Sequence, residues 1–142
     1  MNNASARETS LLSPERFDRM INAASVATFI APGKASLLAF EQRNDYDGTH
    51  FKWFCSRYDR FLYVDRVVVD SEHRGMGHGR TLYIDLFARA KKLGHEYIVC
   101  EVNVEPPNPG SDRFHFAQGF REVGRAVIDN GAKSVHYLLL RQ

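Results

Sequence analysis

Seven consecutive residues, Arg74-Gly75-Met76-Gly77-His78-Gly79-Arg80, put three glycines and two arginines into one short stretch. Glycine lets a backbone turn tightly and leaves its N–H groups open to close approach, which is how chains cradle anions ahead of a helix. Arg74 and Arg80, with His73 and His78 close by, add local positive charge. The chemistry this pattern serves is binding of a phosphate or pyrophosphate. A nucleotide-triphosphate loop would need Gly-Lys-Ser/Thr, which is missing, and a dinucleotide loop would need glycine where Arg80 stands. The residues alone leave an alternative open, a strand-to-helix turn that uses glycine only for its own geometry.

A second stretch runs from Asn108 to Phe120. Asn108 before Pro109 is a helix N-cap pattern, and Ser111 falls in the first turn. His115 stands between Phe114 and Phe116. Such a histidine is either packed core or, with an ordinary pKa of about 6.5, a proton donor near working pH. His73 and His78 are five residues apart with no completing cysteine or carboxylate, so no metal set is expected.

The elements that must hold these stretches are legible from periodicity and turn chemistry. Ser13-Pro14 opens a helix over 14–24, with Phe17, Met20 and Ile21 on one side. Strands are expected at 26–31 and 35–42 around Pro32-Gly33, and an aromatic stretch at 50–58 reads as a short helix or, by its alternation, as a strand. The strongest strand is 61–69, and the glycine stretch leads from it into a helix that ends near Leu93, before Gly94. A strand over 96–104, a helix from Asn108-Pro109 to Gln118, and a hairpin of 120–129 with 134–141 around Asn130-Gly131 complete the chain. Residues 1–10 are polar, with a short edge strand expected near Thr9–Leu12. The strand–helix–strand unit from Leu62 to Val104 makes those two strands parallel, and the hairpins are antiparallel. The expectation is one α/β (α+β) domain spanning residues 1–142, a mixed sheet of six to seven strands with helices on both faces.

Composition fits a single domain: 142 residues, 44% hydrophobic and 25% charged, net charge +2. So even a balance gives no support to bulk binding of nucleic acid or a membrane surface. Two cysteines make no disulfide framework, and no signal-peptide-like or membrane-spanning run is present, so a cytoplasmic protein is expected.

The pattern Arg-x-x-Gly-x-Gly at Arg74, Gly77 and Gly79, preceded by Val67-Val68-Val69, resembles the GNAT acetyltransferases. So does Asn108-x-x-Ser111-x-x-Phe114-His115-x-x-x-Gly119-Phe120, which resembles the family's Asn-x-x-Ala/Ser-x-x-Φ-Tyr-x-x-x-Gly-Phe segment at every offset. The likeness is close over residues 60–125, and Glu101-Val102-Asn103 with Pro106-Pro107-Asn108-Pro109 also resembles a poorly characterised prokaryotic branch. The resemblance implies acetyl-CoA as co-substrate, with Arg74, Gly75, Met76, Gly77, His78, Gly79 and Arg80 around its pyrophosphate. It implies Val67, Val68 and Val69 as the strand whose backbone pairs with the pantetheine arm and polarises the acetyl carbonyl, and Asn108 and Ser111 as further contacts. It implies no metal.

Three positions depart from the family pattern. The tyrosine that protonates the departing thiolate is His115 here. The place of a common glutamate base holds Asn103, which leaves Glu101, or Asp65 on the other strand, as the base that deprotonates the acceptor. Room exists for only one helix between the first two strands. The aromatics Tyr46 and Trp53, from an insertion further along, are expected to wall the acceptor site, while Phe51 and Phe54 fill core. The implied activity is direct transfer of acetyl from acetyl-CoA to a primary amine, small molecule or peptide, with homodimerisation left open. A non-catalytic acyl-CoA-sensing module is the competing expectation.

Overall fold

The computed structural model describes residues 13–31, 33–44, 46, 48–105, 107–128 and 131–142. The edge strand expected near Thr9–Leu12 lies outside them. In chain order the elements are α1 (Pro14–Ala23), β1 (Val26–Ile30), β2 (Ala35–Glu41), α2 (Thr49–Cys55), β3 (Leu62–Val69), a 3-10 turn (Ser71–His73), α3 (His78–Lys92), β4 (Tyr97–Glu105), α4 (Pro109–Ala117), β5 (Arg121–Ile128) and β6 (Lys133–Arg141). Among the described residues the sheet has six strands in the order β1-β2-β3-β4-β6-β5. The crossover through α3 makes β3 and β4 parallel, and every other pair is antiparallel.

Alternation along the strands sorts the core into two layers. Leu37, Ala39, Leu62, Val64, Ile98 and Cys100 face α3, whose Leu82, Tyr83, Leu86 and Ala90 are buried against them. Leu38, Phe40, Phe61, Tyr63 and Val99 face the other way, where Met20 of α1 and Phe51 and Phe54 of α2 cover them. Each of these large side chains contributes about 1.5–3 kcal/mol on leaving water, so both faces are held by packing rather than by surface ion pairs. The single helix before β1 and the inserted α2 thus share one face.

Two irregularities in this frame shape the ends of the parallel strands. The parallel pairing of β3 with β4 holds only at Leu62↔Ile98 and Tyr63↔Val99, although β3 runs on to Val69 and β4 to Glu105. Beyond Tyr63 the two strands splay apart. On its other edge β3 carries a bulge: Leu38 pairs with Arg66 and Ala39 with Val64, leaving Asp65 as the extra residue. Simple strand alternation predicts Tyr63, Asp65 and Val67 on one face. The bulge breaks that alternation, so Val67 packs with Val64 in the α3 layer while Asp65 stays with Tyr63.

Candidate active site

Both parallel strands deliver their C-terminal ends to one place, the position where open α/β sheets bind ligands. β3 ends in the glycine stretch and α3. β4 ends just before Asn108 and α4. Gly75 and Gly77 have φ of +81° and +80°, and Gly77 serves as the left-handed N-cap of α3. A Cβ built at Gly75, Gly77 or Gly110 would meet nothing within 4 Å, so the space over the loop and over the start of α4 is open. Arg74 donates from Nε to the Val69 carbonyl at 3.4 Å, and Met76 and Arg80 are exposed. His78 has its Nε2 enclosed without a hydrogen-bond partner. An exposed cationic rim and open glycine backbone suit a phosphate-bearing ligand.

Val67 and Val69 are partly buried and Val68 is 3% exposed. Their side chains are occupied by packing, and one backbone edge pairs with β2. The other edge faces the splay, where β4 no longer pairs with it. Asn108 caps α4 by accepting from the Ser111 N–H at 3.3 Å, so its side chain serves the helix end as the sequence pattern implies.

Two residues beyond the last β3–β4 pair stand Asp65 and Glu101, one on each strand. Tyr63 donates its hydroxyl to Glu101 Oε1 at 2.5 Å and lies 3.5 Å from Asp65 Oδ1, so one phenol bridges both carboxyls. Tyr46 donates to Asp65 Oδ1 at 2.6 Å. Arg66, which the bulge turns toward the same side, places Nε 3.2 Å from Asp65 Oδ2. Burial, reinforced by the Asp65 charge, pushes the Glu101 carboxyl up to about 8, and the Tyr63 hydrogen bond pulls against that. Burial also raises Asp65, opposed by Tyr46, Arg66 and Tyr63. Two carboxyls with unequal surroundings are a recognisable acid–base arrangement.

Aromatic side chains wall both flanks. Tyr46 stacks on Phe40 at 4.3 Å. Trp53 stacks on Tyr137 at 4.0 Å, and Tyr137 is the register partner of Glu101 on β6. Trp53 fits only because β5 carries glycine opposite it: a Cβ at Gly124 would come within 2.5 Å of the indole. Tyr46 therefore reaches the carboxyl pair through Asp65, and Trp53 borders it through Tyr137.

His115 sits elsewhere in this conformation. It is 3% exposed and packed among Tyr83, Phe114 and Phe120. Its Nδ1 donates to the Ser111 carbonyl at 2.8 Å, which leaves Nε2 to accept from the Tyr83 hydroxyl at 2.7 Å. Burial lowers its pKa. Donation to any ligand in the splay requires one of these bonds to be given up.

Sequence reasoning missed Tyr63, Tyr83, Tyr137 and the bulge. Only Tyr63 left a signal, its two-residue spacing from Asp65. Among the described residues no group of three or more His, Cys, Asp or Glu is arranged to hold a metal ion, and no helix is long and apolar enough to cross a membrane.

Comparison with known proteins bears on this geometry. A family model, described as the acetyltransferase (GNAT) family, matches residues 35–120, more than half of the chain. No curated protein matches in sequence. Among solved structures, the ribosomal-protein-S18-alanine N-acetyltransferase from Escherichia coli is similar with a TM-score of 0.66 at 15% identity, covering 99% of this chain and 84% of that one. The NatC complex bound to Gag peptide and CoA gives 0.68 at 14% identity, with 94% and 82% covered. A GNAT family acetyltransferase from Elizabethkingia anophelis with acetyl-CoA bound gives 0.63 at 14%, with 92% and 84% covered. At such identities the likeness is one of fold.

Proposed function

The chain belongs to the GNAT acetyltransferase family, and we propose that it moves an acetyl group from acetyl-CoA to a primary amine by direct transfer. The observation that carries this reading is the splay itself. It opens a phosphate-suited glycine loop, an unpaired strand edge and a base-capable carboxyl toward one space.

In this reading Arg74, the 75–80 backbone and His78 hold the pyrophosphate, while the splay-facing edge of Val67, Val68 and Val69 aligns the pantetheine arm. A fixed backbone N–H there polarises the thioester carbonyl, stabilising charge where it develops. Glu101 takes the ammonium proton, and its raised pKa brings it nearer to that of the amine it must deprotonate. Tyr63 orients Glu101, and Asp65, held by Tyr46 and Arg66, keeps its affinity for a proton high. His115 is the acid that protonates the departing thiolate, after its bond to Tyr83 opens and the freed Nε2 takes up a proton from solvent. Asn108 and Ser111 set the start of α4 beside the pantetheine arm. Direct transfer is supported by the placement of the cysteines: neither Cys55 nor Cys100 lies in the 74–80 or 108–120 stretch, and Cys100 is buried in the α3 layer, its thiol pushed up by burial.

An acceptor screen with acetyl-CoA, following free thiol, tests the reading. Amine-dependent thiol release with no acetyl retained on the protein is the expected result. Acetyl-CoA binding with no amine-dependent release would make the chain a sensing module instead.

A further inference from the structure

Between α1 and the sheet lies a cavity of about 680 Å³, lined by Arg16, Arg19, Met20, Ala23, Phe40 and Tyr46 among others. That volume is within the range that holds small-molecule ligands. Positions 16, 19, 20 and 23 follow helical spacing, so one face of α1 forms the wall. Asn22 adds a polar amide to this wall, Glu15 and Asp18 do not line it, and both charged groups among the described lining residues are guanidiniums.

The opposite wall is the stacked pair Phe40–Tyr46, and the Tyr46 hydroxyl is bonded to Asp65 at 2.6 Å. The cavity thus runs from two cations on α1 to the margin of the carboxyl pair. The charge of Arg16 reaches Asp65 and draws its carboxyl down. The α1 end suits an anion, and Tyr46, whose hydroxyl is bonded to Asp65, carries the aromatic wall toward the carboxyl pair.

We propose that this cavity holds the acceptor, and that Arg16 and Arg19 bind an oxyanion the acceptor carries. This rests on the transferase reading above and narrows its substrates to amines bearing a carboxylate or phosphate near the nitrogen. A guanidinium presents paired N–H donors that match either group, whereas a lysine would offer only a point charge. A polyamine would bring its second cation against the arginines. Phe40 and Tyr46 cover the carbon skeleton, which leaves its length and side chain as the variable part.

The test compares matched acceptors: the common α-amino acids against their carboxamides, and O-phosphoethanolamine against ethanolamine. Turnover with acetyl-CoA and thermal stabilisation of the CoA-loaded protein are both recorded, for the parent and for Arg16→Ala/Arg19→Ala. Both arginines are exposed on α1, and the melting temperature of the double variant is recorded alongside, so that turnover is compared per folded molecule. The anionic member of a pair should be favoured in the parent. The variant should lose about 10- to 100-fold in kcat/KM for it, the size expected of hydrogen bonds to a charged partner, with the neutral member changed little. Arg→Lys at both positions should restore part of the loss. Preference for amino acids identifies a carboxylate ligand, and preference confined to O-phosphoethanolamine identifies phosphate.

Acetylation without preference for the anionic member, or an equal loss for both members in the variant, overturns the clamp and leaves the transferase reading standing. Arginine-dependent stabilisation by an anionic amine that is never acetylated overturns the transferase reading and leaves the clamp. Absence of both preference and stabilisation overturns the proposal.

Discussion

Tyr63 on β3 donates a 2.5 Å hydrogen bond to Glu101 on β4, across the point where these parallel strands stop pairing. The bond spans the splay and ties the raised carboxyl to the strand that carries Asp65. Because it favours the ionised form of Glu101, it works against the burial that lifts that carboxyl to about 8.

The first prediction concerns activity against pH. If Glu101 is the base, kcat/KM should rise with pH through an ionisation near 8. Glu101→Gln should remove that limb and lower turnover by about 10²- to 10⁴-fold, with acetyl-CoA affinity kept. Tyr63→Phe should move the limb to higher pH, since it deletes a bond to the carboxylate form. A limb that stays put in both variants assigns the base elsewhere.

Stability should carry the same signature with a determined sign. The Glu101 carboxyl ionises near 4.5 in the unfolded chain and near 8 in the folded one. Between those values the native state holds a proton that the unfolded state has released, so stability falls as pH rises. The contribution is complete below about 4.5 and gone above about 8, with a slope of at most about 1.4 kcal/mol per pH unit. Asp65, also raised, adds the same sign at the acidic end. Glu101→Gln, neutral throughout, should flatten the curve measured by urea unfolding from pH 5 to 8. Parallel curves for variant and parent would contradict the burial of this charge.

Much of this frame was legible in the sequence. Turn residues and periodicity placed the described strands and the helices α1, α3 and α4 to within a few residues at each end, because Ser13-Pro14, Asn108-Pro109 and Gly94 act locally, while the 3-10 turn at Ser71–His73 was not foreseen. The insertion read as a short helix is one, though it ends at Cys55 rather than Tyr58. The bulge at Asp65 was not legible, because it is a mismatch in register with β2, and one strand's sequence holds no record of its partner. The Glu101–Tyr137 pairing and the Gly124–Trp53 contact depend in the same way on residues far apart in the chain. No motif sets Arg16 and Arg19 apart in the sequence, and only the packing of α1 on the sheet turns them toward a cavity.

The glycine loop yields a binding prediction. Acetyl-CoA at about 100 times its dissociation constant should stabilise the fold by ~2.7 kcal/mol, roughly 5–10 °C for a chain of this size. Gly77→Glu should abolish the shift, because it sets a charge where the pyrophosphate would lie. It should also cost roughly 1–3 kcal/mol by forcing a side chain onto φ +80°. Gly77→Asn, which tolerates that backbone better, separates the two effects and should retain most of the ligand shift. An undiminished shift in Gly77→Glu would put the ligand at another site.

The last prediction separates chemistry from packing at His115. The motif resemblance implies an acid role for it, yet its ring nitrogens are bonded to Tyr83 and Ser111 inside the α3 layer. Tyr83→Phe deletes the first of these bonds while keeping the imidazole. His115→Phe deletes both. Each should lose stability by about 1–3 kcal/mol, because a buried polar atom is left unpaired, and Tyr83→Phe/His115→Phe should recover part of it, since both partners become apolar. The catalytic consequences should diverge. His115→Phe should lower turnover by about 10²- to 10⁴-fold at unchanged acetyl-CoA affinity, as for loss of a positioned acid. Tyr83→Phe frees Nε2 to take up a proton and donate it, and should keep turnover within a few-fold of the parent. Turnover per folded molecule that falls equally in both variants, or in neither, would make the His115–Tyr83 pair a core contact and leave the thiolate to depart unaided or through water.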